Sequence, residues 1–294
     1  MKKVLLIIFV FAIIQSTQGQ DSTLLKMVNN SMDSSKQREY VLTTFKGSNV
    51  INLETVEQPG KNVLQFMMMH RFGRLNEGAY NFFGLDNAVL RLGLTYGLTS
   101  RIAITIGRSS LDKALDAAVK FKILRQSSDG KIPISMSGYI SLVYPTIKYS
   151  DKPYLLPKYR PIYTTQLLIA RKINEKLSLL LVPSYIHFNI VEKANDKNDI
   201  YALGTGGRYK LSKRMSIIGE YDFLPTGQIH KAATYNSFSS GLEMETGGHV
   251  FQLVFTNSQG MTAPYYLSKT DGRWGNGDIY FGFNISRDFN FKKR

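Results

Sequence analysis

From about residue 47 onward the chain alternates apolar and polar positions with period two, the signature of strands that bury or present one face. The stretch NAVLRLGLTYGLTSRIAITIG (87–107) shows the pattern plainly. Leu90, Leu92, Leu94, Tyr96 and Leu98 alternate with Arg91, Gly93, Thr95 and Gly97. After Thr99-Ser100 the alternation resumes, with Ile102, Ile104 and Ile106 against Arg101, Ala103, Thr105 and Gly107. The same reading gives strand candidates at 49–57, 62–72, 87–98, 101–110, 114–125, 132–144, 163–172, 176–189, 199–210, 214–224, 235–246, 249–257 and 277–290. Most exceed the usual globular strand of about 5–6 residues and match or exceed the roughly 9–11 that cross a membrane. The segment 176–189 is apolar on both faces and fits the two-faced pattern less well.

The links between candidates alternate in length. Tight ones are TS (99–100), INE (173–175), LSK (211–213) and GG (247–248); long ones are 73–86, 145–162, 190–198, 225–234 and 258–276. Short periplasmic turns and longer external loops are the habit of outer-membrane barrels. The link at 111–113 is shorter than this rule expects, and 126–131 is longer. Placing 258–276 outside and counting back makes 62–72 the first spanning strand. Twelve strands result, an even number as bacterial single-chain barrels require. Segment 49–57 is left over as a periplasmic or plug element, hairpinned through EQPGK. The predicted fold is therefore all-β, an antiparallel transmembrane β-barrel of about 12 strands with a short N-terminal periplasmic segment.

A soluble β-sandwich or lipocalin-like barrel is the competing architecture, with the apolar face turned inward. Two features oppose it. The polar faces are rich in Gly, Ser and Thr with isolated charges, which suits a crowded lumen. Tyr96, Tyr144, Tyr163, Tyr185, Tyr209, Tyr221, Tyr235 and Tyr280 fall near strand ends, as an interfacial girdle would place them.

The N-terminus supplies the compartment. Lys2 and Lys3 precede an apolar run from Val4 to Ile14, and Thr17 and Gly19 are small residues before a cut after Gly19. This is the form of a secretory signal peptide, too short to span a membrane. The expected organisation is a signal peptide at 1–19, a periplasmic segment at 20–60 and an outer-membrane barrel at 61–294. The chain has no cysteine, which removes disulfides, thiolate metal sites and lipoprotein anchoring. Loss of Lys2 and Lys3 takes the formal charge from +15 to +13. The basic residues are dispersed and no nucleic-acid module is recognisable, so an anionic membrane surface is the expected partner, not nucleic acid.

The stretches MMHRFGRLNEGAYNFFGLDNAVLRLGLTYGLTSRIAITIGRSS (68–110) and GLEMETGGHVFQLVFTNSQGM (241–261) resemble an uncharacterised β-barrel family of Bacteroidetes-type outer membranes, known as a domain of unknown function. The motifs HRFG, NFFGLD and ETGGHVFQL carry the resemblance, which extends over about 45–290. It implies location and architecture and supplies no activity. Outer-membrane barrels often end on an aromatic residue; here Phe289 and Phe291 are followed by KKR.

Few motifs suggest chemistry. His70, His187, His230 and His249 lack ligand spacing. GTGGRYK (204–210) has strand-like flanks where a phosphate loop needs a following helix, so its glycines relieve crowding. ETGGH (245–249) reads as a tight hairpin. DGRWGNGD (271–278) offers Asp271, Asn276 and Asp278 for calcium but lacks EF-hand spacing, and a glycine turn is favoured. No nucleophile signature such as GxSxG is present. No catalytic, metal or cofactor residues are assigned. The functional lead is the set of charges on the polar faces: Arg71, Arg91, Arg101, Lys120, Lys122, Arg208, Lys210, Glu220, Asp222, Glu243 and Glu245. They suit either an ion-pair network filling a narrow lumen or a charged constriction. The favoured function is a narrow passive pore for small solutes or a structural and interaction barrel. Its expected partners are outer-membrane lipid and lipopolysaccharide, the barrel-insertion machinery and small solutes. The alternatives are a barrel-embedded lipid-active enzyme and a secreted β-protein that binds an apolar ligand.

Overall fold

A computed structural model describes residues 39–148, 156–191, 193–230 and 234–291. The expected signal peptide at 1–19 lies outside the described residues. Twelve antiparallel strands close into one barrel: β1 (Val63–Arg74), β2 (Ala88–Gly97), β3 (Ile102–Ser109), β4 (Leu115–Leu124), β5 (Ser135–Tyr144), β6 (Ile162–Lys172), β7 (Leu177–Phe188), β8 (Asp199–Lys210), β9 (Met215–Phe223), β10 (Ser237–Thr246), β11 (His249–Thr256) and β12 (Tyr280–Asn290). Each strand pairs with its sequence neighbours. β1 and β12 close the ring from Val63↔Asn290 to Arg71↔Gly282, with an irregularity before Arg74↔Tyr280. No strand edge is left unpaired, which a membrane interior demands. Each of the twelve expected spans overlaps its observed strand.

The greasy face points outward. Leu92 and Leu94 are 41% and 40% exposed and Ile104 is 39% exposed, whereas Arg91, their neighbour in sequence, is 7% exposed. Leu179, Leu181, Ile217, Leu242, Leu253 and Phe255 continue the exposed apolar belt around the barrel. Burying such a belt in lipid removes it from water and drives insertion. His70 belongs to this outer side, its ring stacked on Phe283 at 5.0 Å and edge-on to Phe72 at 4.4 Å. Of the expected girdle, Tyr163, Tyr209, Tyr221 and Tyr235 are exposed. Tyr280 departs from it: its side chain is buried inside, receiving a 2.8 Å hydrogen bond from Arg74 Nε.

Short links gather at the end holding Val63 and Asn290, and the long ones at the other; the former is the periplasmic end by the rule of barrel loops. The two links that broke the length rule have structural work. The external link is a single 3₁₀ turn, Leu111–Lys113, with Asp112 and Lys113 at φ +52° and +50°. Such values are costly for side-chain-bearing residues. They hold Asp112 where its carboxylate accepts a 2.7 Å hydrogen bond from the Tyr265 hydroxyl. Its carbonyl meanwhile accepts from the Thr146 and Ile147 amides. The periplasmic link after β4 docks the incoming chain. Tyr40 bridges to Ser127, and the Val41 amide donates to the Gln126 carbonyl at 2.9 Å. The Gln126 side chain clamps onto β6 through both the carbonyl and the amide of Lys172.

Candidate functional site

The lumen is filled from both ends. From the periplasmic side comes a hairpin spanning about 44–57. Asn49 bridges to Glu54, the Val50 amide donates to the Leu53 carbonyl at 2.9 Å, and the Thr55 amide donates to Ser48 at 2.8 Å. The turn therefore lies at Val50–Leu53, and not in EQPGK, which instead leads into β1. The Glu57 carboxylate accepts the Thr44 amide at 2.7 Å, which fixes the hairpin's open end. Val50, Ile51 and Leu53 are essentially unexposed and join one buried cluster with Leu168, Leu180, Val182, Ala202 and Ile218 of the inner wall. Gly204 and Gly206 on β8 make room for it. A Cβ at Gly204 would stand 2.6 Å from Leu53, and one at Gly206 3.1 Å from Val50. The GTGGRYK glycines thus relieve crowding by the hairpin.

Polar wall groups meet the hairpin's backbone. The Glu220 carboxylate on β9 accepts the amides of Ile51, Asn52 and Leu53 at 3.1, 2.9 and 3.0 Å. Asn284 donates to the Ile51 carbonyl and Gln252 to that of Val50, each at 2.9 Å. The Lys120 ammonium donates to the carbonyls of Thr55 and Glu57, both at 3.0 Å, and pairs with Glu54 at 2.6 Å. Arg71, with no exposed surface, donates to the side chains of Asn52 at 3.0 Å and Asn284 at 2.9 Å. A buried backbone amide or carbonyl left without a partner is costly, and here side chains from four strands supply partners.

The remaining expected lumen charges fall into four groups. Arg91 is bidentate to Asp116 at 3.0 and 2.5 Å, and Arg208 pairs with Glu243 at 2.6 Å; both pairs lie within the wall. Asp222 is buried two residues beyond Glu220 on the same face and pairs in register with Ser237. Lys122, Lys210 and Glu245 sit half-buried toward the periplasmic end, where Glu245 pairs with Lys46 of the hairpin at 2.6 Å. Arg101 is different. It lies exposed in the turn before β3, because the strand begins only at Ile102 and the Thr99 hydroxyl caps the turn by accepting the Arg101 amide. Asp116 was readable from the alternation of 114–125. Gln252 and Asn284 carry no charge, and nothing in the sequence singled them out.

The external side is closed by the loop after β11. Its short helix, Ala263–Ser268, is buried throughout, with Pro264 at its start. Tyr265 is latched to Asp112, Ser268 Oγ donates to the Pro264 carbonyl at 2.5 Å, and Asn257 donates to Gly272 at 2.8 Å. The expected inward or outward loop at 145–162 has its centre outside the described residues; the inward role is filled by 257–272. Hairpin and helix meet around a cavity of about 20 Å³ lined by Asn52, Arg91, Asp116, Tyr139, Gln166 and Tyr266. That is space for a single water molecule. At the periplasmic end a cavity of about 290 Å³ lies beside the hairpin, lined by Lys46, Gln65, Glu245, His249, Ser286 and Asp288.

The external carboxylates weighed for calcium are engaged otherwise. Asp271 pairs with Arg74 at 2.9 Å. Asp278 accepts from Asn76 at 2.8 Å and from the Arg273 amide at 3.0 Å. These bonds, Asn76 first, hold the Asp278 carboxyl below the usual carboxylate range. Gly277 turns the chain there with φ +75°. Among the described residues no group of three or more His, Asp or Glu side chains is arranged to hold a metal ion.

An even-stranded closed barrel with an apolar outer belt and a polar, plugged interior is a transmembrane barrel of the outer-membrane type. The comparisons agree. Residues 45–289 match the model of the membrane-bound beta barrel domain family DUF5777, and the chain belongs to that family. The soluble alternative is thereby set aside. No curated protein matches the chain. Among solved structures, the NanC porin superposes with a TM-score of 0.50 at 9% identity, over 76% of this chain and 98% of that one. An outer membrane channel from Pseudomonas putida F1 gives 0.48 at 14% identity, over 79% and 97%. The KdgM porin gives 0.46 at 10% identity, over 78% and 99%. At 9% identity the likeness to the NanC porin is one of fold.

Proposed function

We propose that this barrel is an outer-membrane pore for small polar solutes, held closed by the hairpin from the periplasmic side and by the helix-bearing loop from outside. The observation that carries the reading is the wall chemistry. Arg71, Arg91, Lys120, Glu220 and Glu243 are charged groups on an inner surface, and charges lining a lumen serve a water path or its constriction. Twelve strands lie between the filled eight-stranded barrel and the open porin of sixteen, so removable elements decide whether solute passes. Lipopolysaccharide around the outer rim and the barrel-insertion machinery are the partners proposed with it.

A second reading, a permanently filled structural barrel, is favoured by the apolar cluster of Val50 and Leu53 with β6–β9. Planar-bilayer recording separates the two. Leu53→Asp puts a carboxylate into that cluster and is expected to raise single-channel conductance above the wild-type level. Silence of both proteins at all voltages, with heat-modifiable folded barrel in the sample, removes the pore reading and leaves the structural one.

A further inference from the structure

We infer that the inner wall beneath the hairpin is a recognition site for the backbone of a short peptide, occupied in this structure by the hairpin as a tethered stand-in. This rests on the reading that the hairpin can leave the lumen. A plug held only by its own side chains would need wall pockets shaped to those side chains. This wall addresses main-chain atoms. Glu220 takes three successive amides, Gln252 and Asn284 donate to two successive carbonyls, and Lys120 donates to two more. Any peptide presents the same donors and acceptors, whatever its sequence.

The side-chain demands are few. Val50 and Leu53 enter space left by Gly206 and Gly204 on an apolar surface, which admits small and aliphatic side chains. Arg71 reads the Asn52 amide and Lys120 the Glu54 carboxylate. Lys120 is thereby suited to the C-terminal carboxylate of a free peptide, and Glu220 to its amides and N-terminal ammonium. The two charges stand on β4 and β9, far apart around the ring. A zwitterionic chain of a few residues carries an opposite charge for each group, whereas a neutral sugar of similar size offers them only hydroxyls.

The periplasmic cavity of about 290 Å³ beside Lys46 and Glu245 lies at the same end from which the hairpin enters. The tethered hairpin competes at a high effective concentration. The unmodified protein should therefore bind free peptide weakly.

The test uses the full chain carrying Ile51→Asp and Leu53→Asp, which loosens the hairpin and leaves every wall residue intact. Tetra-alanine is titrated by calorimetry against the folded, detergent-solubilised barrel, with raffinose as the control. Tetra-alanine is expected to bind and raffinose not to. Adding Glu220→Ala should weaken tetra-alanine binding about tenfold or more, as should adding Gln252→Leu, since each removes buried hydrogen-bonding partners. Two wall variants guard against one failing to fold. Absence of tetra-alanine binding, equal binding of raffinose, or unchanged affinity in the folded wall variants overturns the inference. The same hairpin variant is recorded in planar bilayers. Peptide binding without conductance removes the pore and keeps the site, whereas conductance without peptide binding does the reverse.

Discussion

Glu220→Ala is the sharpest perturbation of the plug. The carboxylate is 2% exposed and accepts three backbone amides of the hairpin tip. Hydrogen bonds to a charged group contribute about 1.5–3 kcal/mol each, and neutral ones about 1. The three share one carboxylate and are not additive, and water can enter the vacated space. A conservative figure is about 1 kcal/mol apiece, or about 3 kcal/mol lost from the docked state. Arg71, which faces Glu220 electrostatically, is left with only neutral partners, which adds to the loss. Three kcal/mol is about a hundredfold change in the fraction of molecules with the hairpin withdrawn. The chain has no cysteine, so Val50→Cys supplies a single reporter at a side chain 1% exposed when docked. With withdrawal fast relative to labelling, the maleimide reaction rate follows the withdrawn fraction. The rate should rise about a hundredfold when Glu220→Ala is added to Val50→Cys. A change of less than about twofold in a folded barrel would mean that Glu220 does not hold the hairpin, and the picture of a polar lock would be wrong.

Other expectations follow from the same physics. Arg91→Leu or Asp116→Leu alone strands a buried charge and should lower barrel stability by about 3–5 kcal/mol, while the double variant should recover most of it; urea titration of refolding into vesicles reads all three. Leu92→Arg or Ile104→Arg places a cation on the lipid face at about 2–4 kcal/mol and should impair insertion, whereas Thr95→Arg, facing inward, should be tolerated; the opposite ranking would refute the outward assignment. Asp278 sits below the usual carboxylate range, so its contribution to the external turn is complete above that range and is lost as pH falls through its lowered value. The protection factors of the 273–278 amides, with the intrinsic pH dependence of exchange divided out, should therefore be unchanged between pH 7 and 5 and fall on further acidification toward pH 3. Tyr265→Phe removes the bond to Asp112 and should expose a cysteine placed at Leu267 to labelling about tenfold faster.

Strand number, facing and most boundaries were legible because a membrane barrel writes them twice, in the period-two pattern and in the loop lengths. What was not legible is long-range. Glu220, Gln252 and Asn284 converge on residues 50–53, yet they are separated from them by well over a hundred positions in sequence. Only closure of the ring and the strand registers bring them together. The hairpin's own turn was misplaced because EQPGK has stronger turn residues than VINL. Val50–Leu53 turns since Glu220 collects its amides, a partner no local propensity reports.

One signal of the plug was nevertheless present. The strand 176–189 is apolar on both faces, which in an open barrel would put Leu180, Val182 and Ile186 against water. All three are buried, in the cluster that holds Val50, Ile51 and Leu53. In a membrane barrel the outer apolar face is answered by lipid, so an inner apolar face must be answered by protein. The glycines of β8 in register beside it say how close that protein comes: Gly204 pairs with Val182 and Gly206 with Leu180, and each lacks the Cβ that would strike the hairpin. A doubly apolar strand next to a strand with glycine at alternate inward positions is thus a sequence-level mark of an occupied lumen. The mark also sets where the occupant packs against the wall, on the β7–β8 side, while Lys120 on β4, Glu220 on β9, Gln252 on β11 and Asn284 on β12 hold its backbone by hydrogen bonds.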